Sequence, residues 1–242
     1  WKPTAPILSK SGIDGIAVDA LPVLTGVGDG LAPVLPGSSI KGVLRTQAER
    51  IVRTVLGLDA SNETNARKRF LGQVGIHKRC TLIDSLFGTA DASKSENLGL
   101  GALAVDDCMA KSSVSRDAWR RISQAKDDAE LVGELRKTPY GNWSKADHVA
   151  IDRWTGGAAE GLLFSVLEPV GLEWGSIDLS LDIDRLCENR QPALALLFLV
   201  LRDLADGLLW FGFGGRRGLG AVEVEPITFR GTDLEGKFVA LD

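Results

Sequence analysis

Two glycine-rich stretches carry the residue types that hold an anionic chain. Gly37-Ser38-Ser39-Ile40-Lys41-Gly42 opens a helical segment, and Gly212-Phe213-Gly214-Gly215-Arg216-Arg217-Gly218-Leu219-Gly220 lies near the other end. The first amides of a helix lack intrahelical acceptors and sit at the positive end of its dipole, so an anion settles there. The Ser38 and Ser39 hydroxyls add donors, Lys41 adds a point charge, and Arg45 follows one turn later. In the second stretch the bare amides of Gly214, Gly215 and Gly218 are open to phosphate. Arg216 and Arg217 fork onto phosphates or stack on bases. Taken alone, the first stretch reads equally well as a capped helix with a surface lysine. A helix-to-strand turn explains the glycines of the second, though not its paired arginines. The Gly-x-x-x-x-Gly-Lys-Ser/Thr order of a P-loop is absent. Together the two stretches point to a sugar-phosphate strand, and so to RNA.

The elements that position them are read from periodicity. Ile40, Val43, Leu44, Ala48, Ile51, Val52, Val55 and Leu56 recur at helical spacing, so a helix is expected over 40–56, capped by Ser38 or Ser39 and closed by Gly57. A second, deeply buried helix is expected over 192–206, with Pro192 in its first turn. Strands are expected over 1–8, 99–106, 177–183 and 219–229, the last an edge strand because of Pro226. A further helix is expected over 115–137. The order strand, helix, strand, strand, helix, strand gives an α+β fold with a ferredoxin-like (RRM-like) βαββαβ core. It reads as a single domain over 1–242, with large insertions at 57–98 and 108–170.

Composition sets bounds. The 242 residues are 44% apolar and 25% charged, ordinary for a folded domain. The net charge of −4 runs against nucleic acid, whose affinity comes mostly from phosphate neutralisation. The signs are separated, however. Lys41, Arg45, Arg50 and Arg53 form one basic group, Lys78 and Arg79 another, and Arg216 and Arg217 a third. The acids gather at Asp178, Asp182 and Asp184 and between Asp127 and Glu134. Cys80, Cys108 and Cys187 are too scattered for a disulfide framework, so a reducing cytoplasm is expected. The most apolar run, Ala193–Leu201, stops at Arg202 and Asp203, short of a bilayer's thickness. His77-x-x-Cys80 has half-site spacing without a second pair, and Cys108, His148 and Cys187 stand apart, so no structural zinc is expected. The chain opens on Trp1 and its single methionine is Met109, which reads as a fragment or processed piece of a longer polypeptide.

Pro36-Gly37-Ser38-Ser39-Ile40-Lys41-Gly42-Val43-Leu44-Arg45 resembles the signature of the RAMP superfamily of CRISPR-associated proteins. Within it, the segment is most similar to the Cas7-type backbone subunits of type III effector complexes, the Csm3 and Cmr4 families. Leu86-Phe87-Gly88, Ile151-Asp152-Arg153 with Thr155-Gly156, and Arg217-Gly218-Leu219-Gly220 agree in the family's order. The resemblance implies a subunit that polymerises along crRNA and displays target RNA, beside neighbouring Cas7-like, Cas5-like, Cas10-like and small subunits in a prokaryotic cytoplasm. It also implies a thumb β-hairpin that wedges into the guide–target duplex. Here that thumb is expected near 152–168, with Leu162, Leu163 and Phe164 as an apolar wedge, though an ordinary core strand explains those three equally well. Trp154 is available to stack on a base, but a core or interface place is the better expectation for it.

Such subunits can cleave target RNA with a loop aspartate. Val18-Asp19-Ala20-Leu21-Pro22 resembles the Val-Asp-x-Pro segment of Cmr4-type proteins, which makes Asp19 the candidate. An extra residue precedes Pro22, and Leu24-Thr25 stands where a basic residue is usual, so Asp14 and Asp29 are alternatives. A carboxylate there can hold Mg²⁺ or orient a 2′-hydroxyl for in-line attack, leaving a 2′,3′-cyclic phosphate and a 5′-hydroxyl. The competing expectations are a noncatalytic RNA-binding subunit, such as a Cas5-like cap or an inactive backbone copy, a Cas6-like guide-processing nuclease, and a small-molecule enzyme with phosphate-binding loops.

Overall fold

Gly28-Asp29 is a two-residue turn between apolar segments, with Gly28 at φ 55°, and it closes a hairpin of β2 (Leu24–Val27) and β3 (Gly30–Leu35). That places Asp29 on an exposed turn. A computed structural model describes residues 1–12, 15–57, 63–69, 81–89, 99–225 and 227–231. Asp14, Lys78, Arg79, His77, Cys80 and Pro226 lie outside the described residues. The described chain is a mixture of helices and small antiparallel sheets, and it divides into two compact units.

The first unit comprises Trp1–Ser39, Asp107–Ile177 and Trp210–Glu223. β3 is the middle strand of its largest sheet, with β2 on one side and both β5 (Cys108–Met109) and β6 (Val114–Ser115) on the other. Helices α3 (Arg116–Ser123) and α4 (Asp128–Leu135) follow β6. One helix was expected over 115–137. Two are found because Asp127 begins a new one, its carboxylate accepting the Glu130 N–H at 2.9 Å. Ser115 caps α3 as its Ser-x-x-Ala entry suggests, accepting the Ala118 N–H at 3.2 Å. Both helices bury one face with Val18, Leu21, Val114, Tyr140, Trp143 and Leu167. Tyr140 stacks on Trp143 with ring centroids 4.1 Å apart, and its hydroxyl donates to Ser112 O at 3.0 Å, while burial pushes its pKa up. β7 (Ser144–Ile151) and β8 (Ala158–Glu168) form a long hairpin, and β1 (Lys2–Pro3) pairs with β10 (Val222–Glu223).

The second unit comprises Ile40–Asp106, Asp178–Leu209 and Val224–Asp242. It holds α1 (Gly37–Val55) from Ile40 onward, α2 (Thr81–Phe87), α5 (Arg190–Ala205) and the pair β4 (Leu103–Val105) with β9 (Leu179–Leu181). Ile40, Leu44, Ala48 and Val52 are buried at the expected spacing, each large side chain contributing about 1.5–3 kcal/mol. Val55 and Leu56, read as part of that stripe, are exposed. α5 is less enclosed than expected: Leu196, Leu197, Val200, Leu201 and Leu204 are buried, but Phe198 faces out. The four strands expected for a ferredoxin-like core thus pair first with last and second with third, each as a two-stranded sheet much shorter than its segment.

One polar contact crosses the interior of this unit. Gln47 and Asp203 are both buried, and the Gln47 side-chain amide donates to Asp203 Oδ2 at 2.6 Å. Removing the acceptor leaves a buried donor unmatched. Asp203→Ala is expected to lower unfolding stability by about 2 kcal/mol, with the double variant Gln47→Leu/Asp203→Leu recovering part of it, as measured by urea titration. A double-variant loss equal to the sum of the Gln47→Leu and Asp203→Leu losses would show that the pair is not coupled.

Candidate nucleic-acid interface

Strand β8 sets three consecutive residues against three separate parts of the first unit. Phe164 is half-buried and takes Arg217 of the glycine-rich loop over its ring, with the guanidinium carbon 4.8 Å from the centroid. Ser165 is held by Asp19. Val166 is fully buried with Leu8, Ala20 and Leu219, and Phe164 and Phe213 pack against that cluster. The N-terminal segment, the Asp19 segment, the hairpin and the glycine loop therefore share one small apolar core.

Asp19 is exposed, yet its carboxylate is engaged. Oδ2 accepts the Ser165 N–H at 2.7 Å and the Ser165 hydroxyl at 2.9 Å. The backbone runs alongside: the Ala20 N–H donates to Ser165 O, the Leu167 N–H donates to Ala20 O, and Ala20 bridges Val166 in parallel register. The Ser165 N–H, then its hydroxyl, hold the Asp19 pKa below the ordinary 3.8, with smaller help from Lys145 and Lys10 against a burial effect of opposite sign. A carboxylate held in this way is suited to holding a cation or orienting a hydroxyl.

The hairpin presents apolar side chains to solvent. Val149, Ile151, Leu162 and Leu163 are exposed, and Trp154 at the tip is 95% exposed, so none of them is core. The tip is closed by the Asp152 N–H on Gly157 O at 2.9 Å, the Gly156 N–H on Asp152 O, and the Trp154 N–H on Asp152 Oδ1. The outgoing strand β7 begins at Ser144, before the stretch expected for a thumb. Phe164 differs from Leu162 and Leu163: it stacks on His148 with centroids 5.3 Å apart. His148, Phe164, Arg217 and Phe213 form a stepped pile of rings around one guanidinium.

The glycine loop owes its shape to two close approaches. A Cβ at Gly212 would lie 2.3 Å from Leu8 O, and one at Gly220 would lie 2.0 Å from Phe211 O; both residues also have positive φ. Between them a short 3-10 turn, Gly215–Arg217, is bounded by Gly214 and Gly218 in the left-handed region. Arg216, Arg217 and Gly218 are exposed at its crest.

The helix-opening stretch is arranged differently from its sequence reading. α1 starts at Gly37, and the Gly37 N–H donates to Asp107 Oδ1 at 2.7 Å, so a distant carboxylate caps it instead of Ser38 or Ser39. Both serines are exposed in the first turn, and the Ser39 N–H donates to Pro36 O. In the second unit the Lys41 ammonium donates to Leu103 O at 2.6 Å, and burial, then the Arg45 charge, lower its pKa. Arg45 reaches Gly88 O at 2.6 Å, Glu49 at 3.0 Å and Asp84 at 3.5 Å. The motif residues Lys41, Arg45 and Gly88 thus also serve as internal fastenings, which residue type alone does not reveal. Lys41 and Arg217 belong to different units. Among the described residues no group of three or more His, Cys, Asp or Glu is arranged to hold a metal ion, and no helix is long and apolar enough to cross a membrane.

Because the folded pKa of Asp19 lies below the unfolded one, its grip on Ser165 is complete above about pH 4 and is lost as pH falls through the folded value. Titration of the Asp19 carboxyl by carbon NMR is expected to give a midpoint below 3.8. In Ser165→Ala, which keeps the N–H but removes the hydroxyl, that midpoint should rise part of the way. A midpoint that does not move would clear the hydroxyl of any part.

The chain was compared with known proteins. A search of curated proteins by sequence finds no match. Among solved structures, a chain of a "Type IV-B CRISPR Complex" is similar with TM-score 0.50 and 18% identity, over 91% of this chain and 85% of that one. A chain of a "CRISPR RNA-guided surveillance complex" gives TM-score 0.48 and 12% identity, over 91% of this chain and 62% of the other's length. The first likeness is one of fold. The model of the RAMP superfamily matches residues 22–223, beginning three residues after Asp19 and running through the glycine loop to β10, and the chain belongs to that superfamily.

Proposed function

We propose that this chain is a Cas7-like backbone subunit of a type III CRISPR effector that binds crRNA and target RNA and cuts the target at Asp19. Family membership and a fold shared with a chain of a CRISPR complex support an RNA-guided assembly. The single observation that carries the reading is the gathering of Asp19, the hairpin and Arg217 on residues 164–166 of β8. Stacking rings beside exposed guanidiniums suit a single strand, whose bases lie on aromatic faces while arginines neutralise phosphate. In this reading β7 and β8 are the thumb, and exposed Leu162, Leu163 and Trp154 enter between bases. Neighbouring Cas subunits and an RRM-like core belong to the same proposal.

The guide-binding set comprises Ser38, Ser39, Lys41, Arg45, Gly214, Gly215, Arg216, Arg217 and Gly218. Within it the exposed serines and the arginine pair have their donors most open to RNA. Lys41 and Arg45 already hold backbone carbonyls. Arg216→Glu/Arg217→Glu is expected to weaken guide-RNA binding at least tenfold and to flatten its log–log salt slope by roughly 2, two phosphate contacts being lost. Unchanged affinity and slope in a filter-binding series would refute the assignment.

Asp19 would act through its Oδ1, since Oδ2 is occupied by Ser165. It would orient the 2′-hydroxyl of a splayed target nucleotide towards the adjacent phosphorus, giving a 2′,3′-cyclic phosphate and a 5′-hydroxyl. One carboxylate together with RNA phosphate oxygens fits Mg²⁺, which when bound would neutralise charge developing on the phosphate. Asp19→Asn keeps an acceptor for Ser165 and so separates charge from support. In an assembled complex it should leave guide binding intact and slow target cleavage by about a hundredfold or more. Cleavage at the wild-type rate would clear Asp19.

A noncatalytic subunit is the second reading, favoured by the same Ser165 contacts, which fasten Asp19 to β8 whether or not it reacts. It differs by showing no divalent-dependent cleavage in the assembled particle.

A further inference from the structure

An open groove of about 370 Å³ lies in the first unit beside α3. Leu21, Pro22, Leu24 and Leu31 give it an apolar floor, Ser11 and Ser123 complete it, and Arg116, Trp119 and Arg120 line it from α3. Those three sit at i, i+3 and i+4 of one helix and share a face, while Ala118 and Ile122 take the core. The cations of α3 are divided. Arg121 is committed to Glu134 at 2.8 Å. The Arg116 guanidinium makes no hydrogen bond or ion pair with any described residue, and Arg120 meets only its helix neighbour Asp117, at 3.6 Å and largely exposed. Trp119 packs partly against the core, so its ring is held in place before anything binds.

We propose that this groove receives one unstacked base of single-stranded RNA, seated on Trp119 with its flanking phosphates on Arg116 and Arg120. The proposal rests on the RNA reading above and adds a site to it. A planar ring, an apolar floor and two forked cations make up the chemistry of one nucleotide, and the volume suits a ligand of that size. Position supplies the second reason. Leu21 and Pro22 continue the segment that begins at Asp19, so a base in the groove lies two or three residues along from the carboxylate. In-line attack by a 2′-hydroxyl requires a nucleotide to leave its stacked geometry, and the displaced base then needs a surface to rest on.

The test uses the full chain and a single-stranded 12-mer RNA carrying 4-thiouridine, photo-crosslinked and mapped by peptide mass spectrometry. An adduct within residues 116–123 is expected. It should fall about tenfold in Arg116→Glu, a charge-assisted phosphate contact being lost, while adducts on the 212–220 loop stay unchanged. Trp119→Phe should keep the groove adduct and Trp119→Ala should lose it. Arg116 is exposed, so its variant remains informative even where Trp119→Ala fails to fold. Adducts on the loop alone would overturn the groove while leaving RNA binding intact, and adducts nowhere would overturn both. If Arg116→Glu abolished self-association in sedimentation and left the adducts as they were, the groove would seat a second copy of the chain and the proposal would fail.

Discussion

The parallel run of Ala20 beside Val166 is the contact on which the first unit turns. It is short, two backbone hydrogen bonds and one bridge, but it holds Ala20 by both its N–H and its carbonyl and seals it into the cluster of Leu8, Val166 and Leu219. The Asp19 carboxylate reinforces it by holding Ser165 from outside the ladder. Once those strands are joined, the rest has little freedom. Phe164 must face Arg217, and Leu21 and Pro22 must lie along the floor of the α3 groove. An exposed carboxylate contributes here mainly through orientation, because solvent screens much of its charge.

The electrostatics separate cations that hold the fold from cations that face outward. Lys41 and Arg45 spend their donors on carbonyl oxygens of their own unit, and Arg121 and Lys137 share Glu134. Among the described cations that face solvent are Arg216 and Arg217 at the loop crest and Arg116 on α3. A net charge of −4 is compatible with a polyanion where cations gather locally, as Arg216 and Arg217 do at the loop crest.

The legibility of these features in the sequence follows the range of the interactions that make them. The body of α1 was readable because Ile40, Leu44, Ala48 and Val52 repeat within one element. Its start was not, because the cap comes from Asp107, seventy residues away. α3 announced itself through Ser115 and Ala118, but the break before α4 depended on seeing Asp127 as a second cap. β7 is hard to read in the sequence because its alternation leaves neither face fully buried, whereas the Gly28-Asp29 hairpin carries a clear turn signal. The family's short motifs drew attention to the glycine loop and to Asp19. They gave no hint that Ser165, 146 residues on, would be Asp19's partner, or that Arg116, Trp119 and Arg120 would line one groove.

The stem of the glycine loop has a consequence for how this protein can change over generations. Gly212 and Gly220 stand so near the carbonyls of Leu8 and Phe211 that neither can acquire a side chain. Arg216 and Arg217, at the crest between them, meet no such steric wall. Mutation is therefore channelled: the anchor points are frozen while the crest is open to exchange. A lineage can retune what the loop grips without redesigning how it is mounted.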